Sequence, residues 1–237
     1  MRIRKLILVE LVTLCCSYPL TAQEPELKKN SLQEGMWALQ FQISQNFTLT
    51  SFQGSTISLK RQYSPNAAIR LGTTVNISSS TSEAEPTNAP DTGNYTWQSR
   101  SGFANSQGIS IAVQYLRYPD PIAGINLYFG GGPLVIFGRS KDARESIIIN
   151  TNSPPIRYQN TDETTNLSTG ISLVAGLEWF ASTSISITAE YYSTLQYDWS
   201  KTTHTLEPPN PGSDSEGKDS RFGFRPSTVR FGISGYF

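Results

Sequence analysis

The chain is short of cysteine, histidine and charge, and each shortage closes off a class of proteins. Its two cysteines, Cys15 and Cys16, fall within the first 22 residues, so the remainder has neither a disulfide framework nor a thiolate metal site. Histidine occurs once, at His204, which leaves no imidazole cluster for a transition metal. Charged residues make up 16% of the 237, against about 25% in soluble globular domains. The 19 basic and 19 acidic residues cancel, so no basic field exists to hold nucleic acid. Beyond the N-terminal segment no apolar run approaches the ~20 residues that a membrane-crossing helix needs. No Asp/Glu run has calcium-loop spacing. The run Gly130, Gly131, Gly132 introduces no helix, so it is not a phosphate cradle and instead relieves crowding or bends a strand. The expectation is a protein without metal, cofactor or catalytic residue.

What is present begins with a targeting segment. Arg2, Arg4 and Lys5 precede a mostly apolar stretch over 6–20, and the small residue Ala22 stands before a plausible cut ahead of Gln23. Residues 1–22 read as a secretory signal peptide, and 23–34 as a short periplasmic lead-in. A lipid anchor on Cys15 or Cys16 would place Leu14 or Cys15 where a lipoprotein signal wants a small residue.

From Gly35 onward the recurring signal is period-2 alternation, the mark of half-buried strands. Trp37, Leu39, Phe41 and Ile43 alternate with Ala38, Gln40, Gln42 and Ser44. Seven further runs follow, carried by Ile57 and Leu59; by 69–77; by 109–115; by Ile125, Leu127 and Phe129; by 171–179; by 185–199; and by Val229, Phe231 and Ile233. Their connections alternate between short and long. Tight turns join runs two to three, four to five and six to seven, whereas 78–107, 139–168 and 200–226 read as polar loops of nearly thirty residues each. Short turns at one end and long loops at the other are the layout of outer-membrane barrels, with turns in the periplasm and loops outside. In hydrocarbon an unpaired backbone group costs several kcal/mol, so strands cross a bilayer only as a closed ring. Trp37, Tyr63, Trp179 and Phe237 fall at short-turn ends and Tyr197 and Trp199 at a long-loop end, as an aromatic girdle at each interface would.

With these features the chain resembles the small outer-membrane β-barrel superfamily, the OmpA-like and OmpX-like eight-stranded proteins. The resemblance covers 35–237 and rests on the strand layout and the C-terminal pattern Arg230, Gly232, Tyr236 and Phe237. It departs at Gly235, where the family usually has a hydrophobic residue. It implies an all-β, eight-stranded antiparallel up-and-down transmembrane β-barrel in the outer membrane of a Gram-negative-type bacterium. It also implies a terminal strand read by the barrel-assembly machinery, and no C-terminal peptidoglycan-binding domain. A rival resemblance lies in Gly35-Met36-Trp37, which looks like the G-x-W start of the lipocalins, soluble barrels around an apolar ligand.

If apolar residues face lipid, Lys60, Arg70, Glu178, Glu190 and Arg230 point into the lumen. Their distances from the short turns place Glu190 beside Arg230, with Lys60, Arg70 and Glu178 bridging near the short-turn end. The bore of an eight-stranded barrel is just wide enough for side chains to fill, so a salt-bridged plug is expected in a monomer bathed in outer-membrane lipid. The long loops carry Tyr95, Trp97, Phe103, Tyr158, Phe222 and Phe224 among Ser, Thr and Asn, which suits an extracellular partner and an adhesion-like role. A narrow porin-like channel is the alternative. A lipid-modifying enzyme would have to act through His204, which reads instead as a solvated loop residue.

Overall fold

The computed structural model describes residues 32–48, 53–84, 100–121, 124–148, 156–207, 214–225 and 229–237. The signal segment, most of the lead-in, Tyr95 and Trp97 lie outside the described residues. All regular structure described is strand: β1 (Trp37–Thr48), β2 (Gln53–Ser64), β3 (Ala67–Ala84), β4 (Arg100–Arg117), β5 (Ile125–Ile148), β6 (Ile156–Phe180), β7 (Ile185–Glu207), β8 (Ser215–Arg225) and β9 (Val229–Tyr236). No helix among the described residues is long and apolar enough to cross a membrane.

Every sequential pair from β1 to β7 is antiparallel, β7 pairs β9, and β9 returns to β1. The result is a closed ring of eight staves. β8 and β9 together make the last stave, because β7 pairs β9 along Ile185–Tyr191 and β8 along Thr194–His204. The ring is staggered. From Gln40 the ladder runs through Ser58, Gly72, Ala112, Leu134 and Gly170 to Gln196; in the other direction it runs through Ser234 to Ser186, ten residues lower on the same strand. Such a stagger is what tilts the strands and allows a sheet to close.

The alternation of the sequence is realised as an inverted protein. Leu127, Ile125 and Ile233 are 63%, 59% and 60% exposed, while Lys60 and Arg70 are 2% exposed and Glu178 is 0%. The inward positions are the even-numbered residues of β1 to β7 and β9: Gln40, Lys60, Arg70, Gln114, Asn126, Glu178, Glu190 and Ser234 among them. This arrangement overturns the lipocalin reading, which needs an apolar bore. Gly35 instead serves the backbone: its φ of 87° turns the chain into β1, and its N–H donates to the Gln62 carbonyl at 2.9 Å. Trp37 faces outward, with the Arg61 guanidinium 5.2 Å from its ring.

The short-turn end is tied and stoppered. Asn66, in the turn between β2 and β3, accepts the Tyr118 N–H at 2.8 Å and donates its amide back to the Tyr118 carbonyl at 2.9 Å. Trp37 and Phe237 exchange backbone hydrogen bonds of 3.0 and 2.9 Å, so the last residue closes the ring onto the first strand. Leu32, Ala38, Ala68, Leu116, Phe180 and Tyr236 form an apolar floor inside this end.

At the opposite end the structure corrects the expected loops. Strands continue to Ala84, Ile148 and Glu207 and resume at Arg100, Ile156 and Ser215. Half or more of each segment read as loop is therefore ladder. β5, β6 and β7 reach 24, 25 and 23 residues, twice the 12 of β1 and β2. Phe103, Tyr158, Phe222 and Phe224 consequently lie on strands.

Candidate functional site

The lumen holds two ion pairs stacked along the bore. Nearer the short turns, Lys60 of β2 reaches across to Glu178 of β6, with Nζ 2.9 Å from both carboxylate oxygens. Glu178 also accepts from Tyr118 Oη at 2.9 Å, Ser186 Oγ at 2.6 Å and Tyr236 Oη at 2.6 Å. Donors from β2, β7 and β9 and from Tyr118, one residue past β4, thus converge on one carboxylate. Lys60 donates further to Tyr118 Oη at 3.1 Å and lies 4.8 Å from the Tyr236 ring centre.

Farther up, Arg70 of β3 bonds Glu190 of β7, Nη1 to Oε2 at 2.7 Å. Tyr128 Oη donates to the same oxygen at 2.9 Å. The guanidinium is held in turn by Gln114 Oε1 at 2.8 Å and Gln40 Oε1 at 3.1 Å. Gln114 then donates to Ser172 at 3.0 Å, and Gln40 to Thr188 at 3.0 Å. Charges removed from water persist only when paired and hydrogen-bonded; both carboxylates are paired and hydrogen-bonded, with Glu190 bonded through Oε2 alone and its Oε1 buried without a partner. Gly176 makes room for it, since a side chain there would press on the Tyr128 hydroxyl.

The third cation is placed differently from the expectation. Arg230 stands directly across the β7–β9 ladder from Glu190. The Glu190 carboxylate nevertheless turns to Arg70, and the Arg230 guanidinium lies over the Tyr192 ring, 3.7 Å from its centre. Cross-strand adjacency fixed the Cα atoms, while the reach of Arg70 across the bore decided the pairing. The polar face of the alternation already contained Gln40, Gln42, Gln114 and Tyr128. What the pattern did not show was that buried tyrosine hydroxyls would serve as carboxylate ligands.

Outside, the girdle residues Trp37, Tyr63, Trp179, Tyr197 and Trp199 are all exposed. Tyr197 and Trp199 pack with ring centres 4.4 Å apart. Phe222 and Phe224 stand opposite Tyr197 and Leu195 and extend that band. Immediately above it on the outer face come charges: Arg139 with Glu163 at 2.7 Å and Lys201 with Glu216 at 2.9 Å. Hydrogen bonds from Lys201 and Lys218 hold the Glu216 carboxyl below its usual range. Of the C-terminal pattern, Arg230 and Tyr236 point into the lumen and Phe237 lies on the rim. Gly232 allows the Gln42 and Thr188 side chains to close over it.

His204 lies on β7, where its Nδ1 is 2.6 Å from Asp162 Oδ1 of β6. Its partner across the β7–β8 ladder is Ser215. Among the described residues, no group of three or more His, Cys, Asp or Glu is arranged to hold a metal ion.

A closed ring of eight staves, apolar outside and charged within, is now complete. It is an all-β, antiparallel, up-and-down ring. No family model matches the chain, and no curated protein matches it in sequence. Among solved structures it is similar to CarO of Acinetobacter baumannii, with a TM-score of 0.41 and 9% identity, covering 88% of this chain and 100% of that one. It is similar also to Ail, the attachment invasion locus protein of Yersinia pestis, with a TM-score of 0.34 and 11% identity over 86% and 100% of the two chains. A major outer membrane protein from Thermus thermophilus has a TM-score of 0.30 and 13% identity over 86% and 99%.

Proposed function

We propose that the chain resides in the outer membrane, exported by a cleaved signal peptide at 1–22 and inserted with the help of the barrel-assembly machinery, and acts there as a monomeric surface-contact barrel. In this reading it is not an enzyme, and His204 serves structure rather than chemistry. The observation that carries it is the combination of a filled bore with a wall that outgrows its apolar band. Among the residues whose side chains are described, large exposed apolar residues run no further than Ile77 on β3, Phe137 on β5, Leu167 on β6 and Trp199 on β7, with Phe103 of β4 above that level, yet these four staves run on by seven or more residues beyond. At about 3.3 Å per residue the wall rises well clear of a bilayer. A transport barrel has no use for such height when its lumen is closed by two ion pairs, whereas a rigid polar palisade suits contact with an extracellular partner.

The test has two arms. The first is heat-dependent gel mobility of the membrane-extracted protein followed by planar-bilayer recording; the expected result is a mobility shift without stepwise conductance. Regular single-channel steps would replace this reading with the narrow channel. The second shortens the β5–β6 hairpin by replacing 141–163 with an Asn-Gly turn, cutting between the paired residues Lys141 and Glu163. Cells displaying the shortened barrel should lose adherence to matrix-coated surfaces while the gel shift persists. Adherence equal to that of the intact protein would overturn the surface role.

A further inference from the structure

The plug does not balance its charge. Lys60, Arg70 and Arg230 oppose only Glu178 and Glu190, and the next charges toward the far end, Asp198 and Arg225, pair with each other at 2.6 Å. One positive charge is left over, at Arg230. Beside it lies a small recess at the upper end of the plug, lined by Gln42, Thr56, Arg70, Thr74, Tyr192 and Arg230 among others. No carboxylate lines it. Gln42 is 1% exposed, and neither atom of its side-chain amide has a hydrogen-bond partner. A buried amide with nothing to bond is an exception that asks for a guest. The opening is of the order of one water molecule in size.

We propose that this recess binds one small monovalent anion of halide size. A water molecule there would answer the amide and leave the charge; an anion answers the charge and the NH2 group of the amide. It would accept from the Gln42 NH2 group and from the Arg230 guanidinium, which Tyr192 holds flat against the wall. Thr56 and Thr74 share a hydrogen bond of 2.6 Å and so fix the opposite side, and Gly232 leaves space for Gln42 to lie where it does. The inference concerns the lumen and stands apart from whatever the outer wall contacts.

Bromide is the probe. Crystals of the full barrel in detergent with sodium bromide should show an anomalous peak in the recess, in contact with Gln42 Nε2 and Arg230. In solution, the unfolding midpoint should rise with bromide to saturation and exceed that in sodium sulfate at matched ionic strength. Arg230→Gln and Gln42→Leu, each checked for the gel shift of a folded barrel, should lose the saturable rise. A recess without an anomalous peak, identical bromide and sulfate curves, or a rise retained in Gln42→Leu would each overturn the proposal. The anomalous measurement uses the unsubstituted protein and decides the matter even if a variant fails to fold.

Discussion

Arg70 and Glu190 are held on opposite walls of the lumen yet meet at 2.7 Å in its centre, while Arg230, the cross-strand neighbour of Glu190, does not take the carboxylate. The ion pair therefore bridges the ring across its diameter. It resists both collapse and splaying of the wall, which a pair between adjacent strands could not do.

A double-mutant cycle should reveal that difference. Removing one partner of a buried pair costs about 3–5 kcal/mol, because the other charge is stranded. Glu190→Ala should fall in that range, and adding Arg70→Ala should recover part of the loss. Adding Arg230→Ala instead should recover much less. Reversible urea unfolding in lipid vesicles measures each variant, and equal coupling for the two pairs would contradict the geometry.

Glu178 gives a second measurement. Tyr236 donates one of several hydrogen bonds to this carboxylate, and a bond to a charged group is worth about 1.5–3 kcal/mol. Tyr236→Phe should therefore destabilise by about that amount while leaving Phe237, and hence the aromatic end of the strand, in place. A variant as stable as the parent in the same urea titration would remove Tyr236 from the network.

A third concerns the wall itself. A Cβ on Gly132 would run into the Val113 carbonyl of the neighbouring strand, so Gly132→Ala should cost about 1–3 kcal/mol through overpacking. The readout is the fraction of membrane-extracted protein showing heat-dependent mobility. An undiminished fraction would mean that the backbone relaxes freely at this point. The run of three glycines was read from sequence as a place of crowding or bending, and the close approach of β4 to β5 supplies the reason for that reading.

How far the sequence could be read depended on whether the two faces of a stave differ in polarity. Between Val75 and Leu71, or Leu173 and Trp179, one face is apolar and exposed and the other lines the plug, so hydrophobicity alternates and strand, face and lumen charge are all legible. Above Ile77 on β3 and Trp199 on β7 both faces are polar. Ser78 to Ser82 and Thr202 to Thr205 then lose their contrast although the ladder continues unbroken through Ser80↔Ala104 and Thr203↔Glu163. The backbone hydrogen bonds that define a strand leave no mark on side-chain polarity, and for that reason the tall wall read as loop. The partner of Glu190 escaped for another reason: alternation tells which side a residue faces, not which of several inward cations has the length to reach it.

The parity of the inward positions carries a consequence for how this chain can change over time. Even numbers face the lumen on β1 through β7 and on β9, whereas on β8 odd numbers do, as Arg225 opposite Thr194 shows, so the connections from β1 to β7 preserve the count modulo two. A one-residue shift of the β2–β3 register would turn Arg70 to the outer face and Leu71 to the plug. Turns here can lengthen or shorten by two residues and remain compatible with the membrane, whereas single-residue insertions between staves should be tolerated only where a bulge absorbs them.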